Sequence, residues 1–201
     1  MMVIGLTGSI AMGKTETAKI FRSLGLPVFD SDAAVHHLYM ADAVVLDAMK
    51  ALVPAAVVSG TVDRAILSKA VASHPGLLKD IECIVHPAVR RMQREFLVAQ
   101  KEAGHDVAVL DIPLLFETGQ ESTVDRIVVV SAPSHVQRQR ALQRPGMTEE
   151  KLDFILSRQL ADSAKRERAD YVIDTSKSIE DATQQVIAIL KDIGKGQSVS
   201  S

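Results

Sequence analysis

Apolar runs without alternation recur along this chain, separated by longer stretches of helical period. Val3-Ile4-Gly5-Leu6, Leu26-Pro27-Val28-Phe29, Val107-Ala108-Val109-Leu110, Ile127-Val128-Val129-Val130 and Tyr171-Val172-Ile173 are nearly unbroken. Such runs predict strands buried on both faces, as in parallel sheets covered by helices. Between them the spacing predicts helices over 17–24, closing at Gly25, and over 33–39. Val44, Val45, Ala48, Met49 and Leu52 share one face of a third. Gly60 breaks that pattern, and Asp63 opens a helix carrying Ile66, Leu67, Ala70 and Val71. His86-Pro87 opens another, with Pro in its first turn, running through Val89, Met92, Phe96 and Leu97. Further helices are predicted after Pro133, over 152–160, over 164–168 and over 179–193. Nothing between Asp42 and Gly104 reads as a strand. Strands alternating with helices predict an α/β fold, a parallel sheet with helices on both faces.

One domain is therefore expected over 1–194. Within it, about 42–104 forms a helical subdomain that covers substrate, and 195–201 is a polar tail expected to be disordered.

Directly after the first strand stands Gly8-Ser9-Ile10-Ala11-Met12-Gly13-Lys14-Thr15, a G-x-x-x-x-G-K-[ST] phosphate loop. The context is the one the motif requires, a strand before and a helix after. Backbone N–H groups in such a turn point at one spot, and the positive end of the helix dipole adds to their field. Lys14 reaches β/γ-phosphates, and the Thr15 hydroxyl is a ligand for Mg²⁺. Nucleotide binding follows from this stretch alone; a strand–turn–helix with an accidental lysine is the bland alternative.

Composition narrows the picture further. The 201 residues carry a net charge of −2, 47% hydrophobic and 3% aromatic residues, and no Trp. The balance argues against a nucleic-acid or membrane-surface binder, so an anionic substrate must be met by a local cluster of cations. The single cysteine, Cys83, excludes an internal disulfide and reads as a buried small hydrophobe. The absence of a basic n-region predicts no signal peptide, no apolar run is long enough to span a bilayer, and a cytoplasmic location is expected.

Three further places carry candidate chemistry. Asp30-Ser31-Asp32 closes the second strand, on the side where ligands sit in open parallel sheets. Either acid serves catalysis or metal binding, or simply caps the following helix. Asp111 closes the third strand, as does the carboxylate that holds Mg²⁺ in phosphate-loop enzymes. Pro113-Leu114-Leu115-Phe116-Glu117 follows, walling a pocket or merely beginning a packed helix. Arg140 and Arg144 lie four apart, before the Pro145-Gly146 break. They predict a lid over phosphates, about 140–165, or an exposed basic turn. His86 and Arg90 share a helical face, as ligands or as a cap and a solvated residue.

In this order the motifs resemble the dephospho-coenzyme A kinase family. The matches are Ile4-Gly5-Leu6-Thr7-Gly8 into Gly13-Lys14-Thr15, Asp30-Ser31-Asp32, Asp63-Arg64 with Leu67, and His86-Pro87-Ala88-Val89-Arg90. They continue through Asp111-Ile112-Pro113-Leu114-Leu115-Phe116-Glu117, Gln137-Arg138-Gln139-Arg140 with Arg144, Gln159, and Ala169-Asp170-Tyr171-Val172-Ile173-Asp174. The resemblance implies a five-stranded parallel sheet, a helical coenzyme A subdomain and a lid. It implies ATP-dependent phosphorylation of the ribose 3′-hydroxyl of dephospho-coenzyme A, with small-molecule substrates and no obligate protein partner. Carried over by position, Asp32 accepts the proton of the attacking hydroxyl or orients it. ATP is held by the loop amides from Ala11, Met12 and Gly13 through Lys14, Thr15 and Glu16, with Arg140 and Arg144. Thr15 and Asp111 serve the metal. His86, Arg90, Leu114, Leu115, Phe116 and Glu117 line the acceptor site.

The chain departs from that family at Ser9, Ala11, Met12, Thr15 and Glu16, and at Thr175, where Asn is usual. Ala11 either avoids positive φ or carries strain, and Glu16 is expected to turn to solvent or pair with a neighbouring cation. The rival readings are a nucleoside monophosphate or other small-molecule kinase on the same fold, and a non-catalytic nucleotide-binding module. A GTPase switch is excluded by the absence of any Asn, which the guanine-reading motif requires.

Overall fold

The computed structural model describes residues 1–197, the side chains of 195–197 excepted. The chain divides into two compact units, Asp30–Glu102 and the remainder on either side of it. In sequence order the strands are β1 Met2–Thr7, β2 Val28–Asp30, β3 Val57–Val58, β4 Thr61–Val62, β5 Val107–Asp111, β6 Arg126–Ser131 and β7 Tyr171–Asp174. The helices are α1 Lys14–Ser23, α2 Ser31–Ala41, α3 Ala43–Leu52, α4 Arg64–Ser73, α5 Leu77–Glu102, α6 Ser134–Leu142, α7 Glu149–Ser157, α8 Asp162–Glu167 and α9 Ile179–Gln197.

The sheet is five-stranded and parallel, in the order β2-β5-β1-β6-β7. β1 is its middle, with Leu6 beside Asp111 of β5 on one side and Thr7 beside Val129 of β6 on the other. β6 in turn places Ser131 beside Asp174 of β7. Four strands thus deliver their carboxyl ends to one edge, where the phosphate loop leaves β1. The unbroken apolar runs have the expected cause: Ile4, Leu6, Val109, Val128, Val130 and Ile173 are wholly or almost wholly buried, packed with Phe21 of α1 and Val186 and Ile189 of α9. Each such side chain contributes about 1.5–3 kcal/mol by leaving water.

The helical unit differs from its expected form in three ways. It contains a β3–β4 hairpin, which turns through Ser59 (φ 50°) and Gly60 (φ 80°). Two consecutive left-handed residues match the twist of a tight hairpin, so Ser-Gly between Val57-Val58 and Thr61-Val62 was a strand signal. The helix expected to begin at His86-Pro87 instead begins at Leu77 and runs through Pro87. Pro87 is on the exposed face and Cys83, whose carbonyl loses its partner, is exposed as well, so solvent can serve that carbonyl. Cys83 is therefore not the buried hydrophobe expected of it. At the other end of the chain α9 continues to Gln197, so 195–197 are helical rather than part of a disordered tail, and 198–201 lie outside the described residues. Among the described residues no helix is long and apolar enough to cross a membrane.

Gly8 is fixed by space. A Cβ there would stand 2.4 Å from Val130 Cγ2 and 2.8 Å from the Val130 carbonyl oxygen. Backbone cannot yield as a side-chain tip can, so Gly8→Ala is expected to cost about 1–3 kcal/mol, read as a lower urea midpoint. An unchanged midpoint would show that β1 and β6 can separate at this point.

Candidate active site

The loop between β1 and α1 is shaped from several sides. Gly13 takes φ 88°, a left-handed conformation that begins α1, and the first-turn amides beyond it have no intrahelical acceptor. Ala11 also lies in the left-handed region, at φ 61°, so it carries the strain that its methyl group implies, about 1–2 kcal/mol. That methyl is buried in a small cluster with Ala141 of α6 and Leu152 of α7, with Ile10, Met147 and Leu156 around it. Packing here offsets conformation. Met12 sends its side chain into the sheet core, where its sulfur accepts from the Ala132 N–H at 3.1 Å, and its own N–H donates to the Ser9 carbonyl at 3.2 Å.

Lys14 and Asp111 make the central contact. The Lys14 ammonium is paired with Asp111 Oδ1, both side chains mostly buried. The register explains it: Asp111 ends β5 beside Leu6, two residues before the glycine that opens the loop. Thr15 follows Lys14 and is exposed, while Glu16 pairs with Lys19 at 2.8 Å in solvent. The local cation thus draws the Glu16 carboxylate along α1.

On the other side, Arg140 in the last turn of α6 donates from Nη1 to Thr175 Oγ1 at 3.1 Å and from Nη2 to the Thr175 carbonyl at 2.6 Å. The Thr175 hydroxyl lies 2.9 Å from the Met12 carbonyl. Arg144 is exposed in the turn between α6 and α7. Those two helices are tied by Arg138, which pairs with Glu149 and, at 2.8 Å, with Asp153. They are also tied to the loop. The Ile10 N–H donates to Gln159 Oε1 at 3.0 Å, and Gln137 Nε2 donates to the Ile10 carbonyl at 2.9 Å.

The Leu114–Glu117 segment forms turns rather than a helix. Leu115 is fully buried, Phe116 packs under the Arg168 guanidinium at 4.6 Å, and Leu114 is exposed. Glu117 Oε1 accepts from the Leu160 N–H at 2.8 Å and lies 2.8 Å from the ammonium of Lys165. That distance makes an ion pair, but the Lys165 nitrogen lies outside hydrogen-bond angles. Lys165 is fully buried, a feature that a charged turn of helix gave no reason to expect. Burial pushes the Glu117 carboxyl up, but the Lys165 ammonium and the N–H groups of Leu160 and Glu117 outweigh it and hold it below the usual carboxylate range.

In the helical unit the acids at the end of β2 divide. Asp30 is the cap of α2, accepting from the Ala33 N–H at 2.9 Å, whereas Asp32 is exposed in the first turn. His86 is half-buried and Arg90 exposed on α5. Asp63 caps α4 through the Ala65 and Ile66 amides at 2.8 and 3.0 Å, and Asp42 caps α3 while pairing with Arg91 at 2.6 Å.

Sequence reasoning gave Lys165 no role at the site, and named Gln137 and Gln159 only as motif matches and Thr175 only as a departure from the family. Their contacts join segments far apart in the chain, and nothing local announces them.

A parallel sheet of this order, a glycine-shaped phosphate loop and a lysine–aspartate pair across its two central strands define a phosphate-loop kinase. The profile of the dephospho-CoA kinase family matches residues 2–181. A dephospho-CoA kinase from Mesorhizobium japonicum is 52% identical over 197 residues, 98% of either chain. A solved protein from Thermus thermophilus superposes with a TM-score of 0.79 at 34% identity, over 95% of this chain and 97% of its own. A dephospho-CoA kinase from Campylobacter jejuni shares the fold at a TM-score of 0.72 and 24% identity, over 97% and 98%. The chain belongs to the dephospho-CoA kinase family. It is a transferase of coenzyme A synthesis, which sets aside the nucleoside monophosphate kinase and the non-catalytic module.

The Glu117–Lys165 pair makes a pH-dependent contribution to stability. A carboxyl held below its unfolded pKa stabilises the fold above that value, and the contribution is lost as pH falls through the folded pKa. Lys165→Met removes the cation that holds the Glu117 carboxyl down, so the carboxyl moves up and stability at pH 7 falls. The deficit should shrink on acidification, when Glu117 takes up its proton. Urea unfolding of both proteins at neutral and mildly acid pH checks this; a deficit that stays constant with pH contradicts it.

Proposed function

We propose that this chain moves the γ-phosphoryl group of ATP onto the ribose 3′-hydroxyl of dephospho-coenzyme A, in the cytoplasm, with Mg²⁺. The observation that carries the reading is the Lys14–Asp111 pair at the foot of the phosphate loop. Lys14 and the loop amides from Ala11 through Glu16 neutralise the β/γ-phosphates, and Arg140 and Arg144 bring planar donors to the charge that develops on the transferring group.

The donor set suits magnesium. Thr15 and Asp111 are hard oxygen ligands, and no group of three His, Cys, Asp or Glu side chains able to hold an ion occurs among the described residues. Mg²⁺ is commonly held this way, by one or two protein oxygens together with substrate phosphates. The ion would supply charge neutralisation between the β- and γ-phosphates.

Asp32 accepts or orients the hydroxyl proton as the 3′-oxygen bonds to phosphorus and ADP leaves. Asp30, already accepting from the Ala33 amide, is the cap, and Asp32 is the exposed carboxylate of the pair. The acceptor is bound by His86 and Arg90 and by the Leu114–Glu117 segment. Within that segment Leu115 and Phe116 contribute by shaping backbone, since their side chains are buried.

An ADP-release assay over a panel of acceptors tests the reading. Turnover is expected with dephospho-coenzyme A, and strong turnover of a nucleoside monophosphate with none of dephospho-coenzyme A would overturn it. Asp32→Asn should lower kcat by about 10²–10⁴ with ATP affinity retained; a near-normal kcat removes Asp32 from the role. Arg140→Ala should lower kcat by about 10²–10³ more than it lowers Tm, whereas a lower Tm with normal turnover would make Arg140 structural.

A further inference from the structure

Thr175 is the first residue beyond β7 and is nearly buried. Its N–H donates to the Ser131 carbonyl at 2.9 Å, extending the β6–β7 ladder by one step and fixing where the side chain emerges. The hydroxyl faces three groups: the Met12 carbonyl at 2.9 Å, the Ser131 carbonyl at 3.3 Å and Arg140 Nη1 at 3.1 Å. A hydroxyl has one proton and two lone pairs. The proton therefore goes to a carbonyl, of which Met12 is nearer, and a lone pair receives Arg140. Arg140 Nη2 is held by the carbonyl of the same residue at 2.6 Å. The loop meets the threonine sterically as well, since a Cβ on Gly13 would lie 3.0 Å from the Thr175 Cβ and Oγ1.

We infer that Thr175 is the positioning residue that fixes the Arg140 guanidinium against the phosphate loop. One side chain fastens the Met12-Gly13 backbone and the arginine to each other, so neither can move without the other. The acceptors are also neutral. Among the described residues both hydrogen bonds of Arg140 go to Thr175, and no carboxylate pairs with it. The guanidinium is thus oriented by neutral acceptors, which leaves its positive charge available to an anion. A planar fork held at two nitrogens keeps its remaining N–H groups in a fixed direction, and preorganised donors act on developing charge without reorganising during the reaction.

This inference rests on the reading of Arg140 as an ATP contact, and a double-mutant cycle separates the two. Thr175→Val keeps the shape and removes the hydroxyl. It is expected to lower kcat/KM for ATP about tenfold, the scale of one hydrogen bond to a charged group, while Thr175→Ser stays within about threefold of the parent. In the Arg140→Ala background Thr175→Val should have almost no further effect, because the partner it orients is gone. The dissociation constant for ATP, from calorimetric titration, gives the same cycle where turnover is too slow to follow, and Thr175→Ala replaces the valine variant if that one does not fold. Equal losses from Thr175→Val with and without Arg140, or no loss at all, would overturn the inference. Normal turnover and ATP affinity in Arg140→Ala would instead overturn the reading of Arg140 and the inference with it.

Discussion

An ammonium and a carboxylate, both mostly shielded from water, meet where β1 and β5 end, and the site is arranged around that contact. Lys14 is placed by the left-handed turn at Gly13 that begins α1, and Asp111 by the register that sets it beside Leu6. The pairing of β1 and β5 as parallel neighbours is what brings the two within reach. A pair of this kind is a poor source of stability, since removing two charges from water costs much of what their attraction returns. Its worth is positional. It holds an ammonium and a carboxylate together at the foot of the loop.

The rest of the loop shows the same exchange of strain for placement. Ala11 stands in a conformation that a glycine would adopt freely, and its methyl is buried against α6 and α7. With the Gln137 and Gln159 hydrogen bonds to Ile10, this fastens the loop to α6, which carries Arg140 in its last turn, and to the segment just beyond α7, with Arg144 in the turn between the two helices. Of the two expectations for Ala11 the structure thus shows the strained one, offset by packing, and Glu16 is drawn aside by Lys19.

Local chemistry was legible in the sequence, and remote chemistry was not. The five strands of the sheet, the phosphate loop and the Asp caps are local signals, written in runs of apolar residues, in glycine and lysine spacing and in single capping residues. The Ser59-Gly60 hairpin is equally local but was masked by the helical pattern on either side of it. The continuity of α5 through Pro87 depends on that residue facing solvent, which periodicity around a single proline does not reveal. Thr175 and Lys165 act through partners 35 or more positions away, Met12, Arg140 and Glu117. The sequence marked Thr175 only as a departure from the family, without its partners, and nothing near Lys165 distinguishes it from a surface lysine.

The most direct test of the account is the identity of the product. Phosphorus NMR of a completed reaction with ATP and dephospho-coenzyme A should show one new phosphomonoester, coupled to the ribose 3′-hydrogen, growing in step with ADP. ADP formed with no new phosphomonoester, or a phosphate placed on a different hydroxyl, would contradict it.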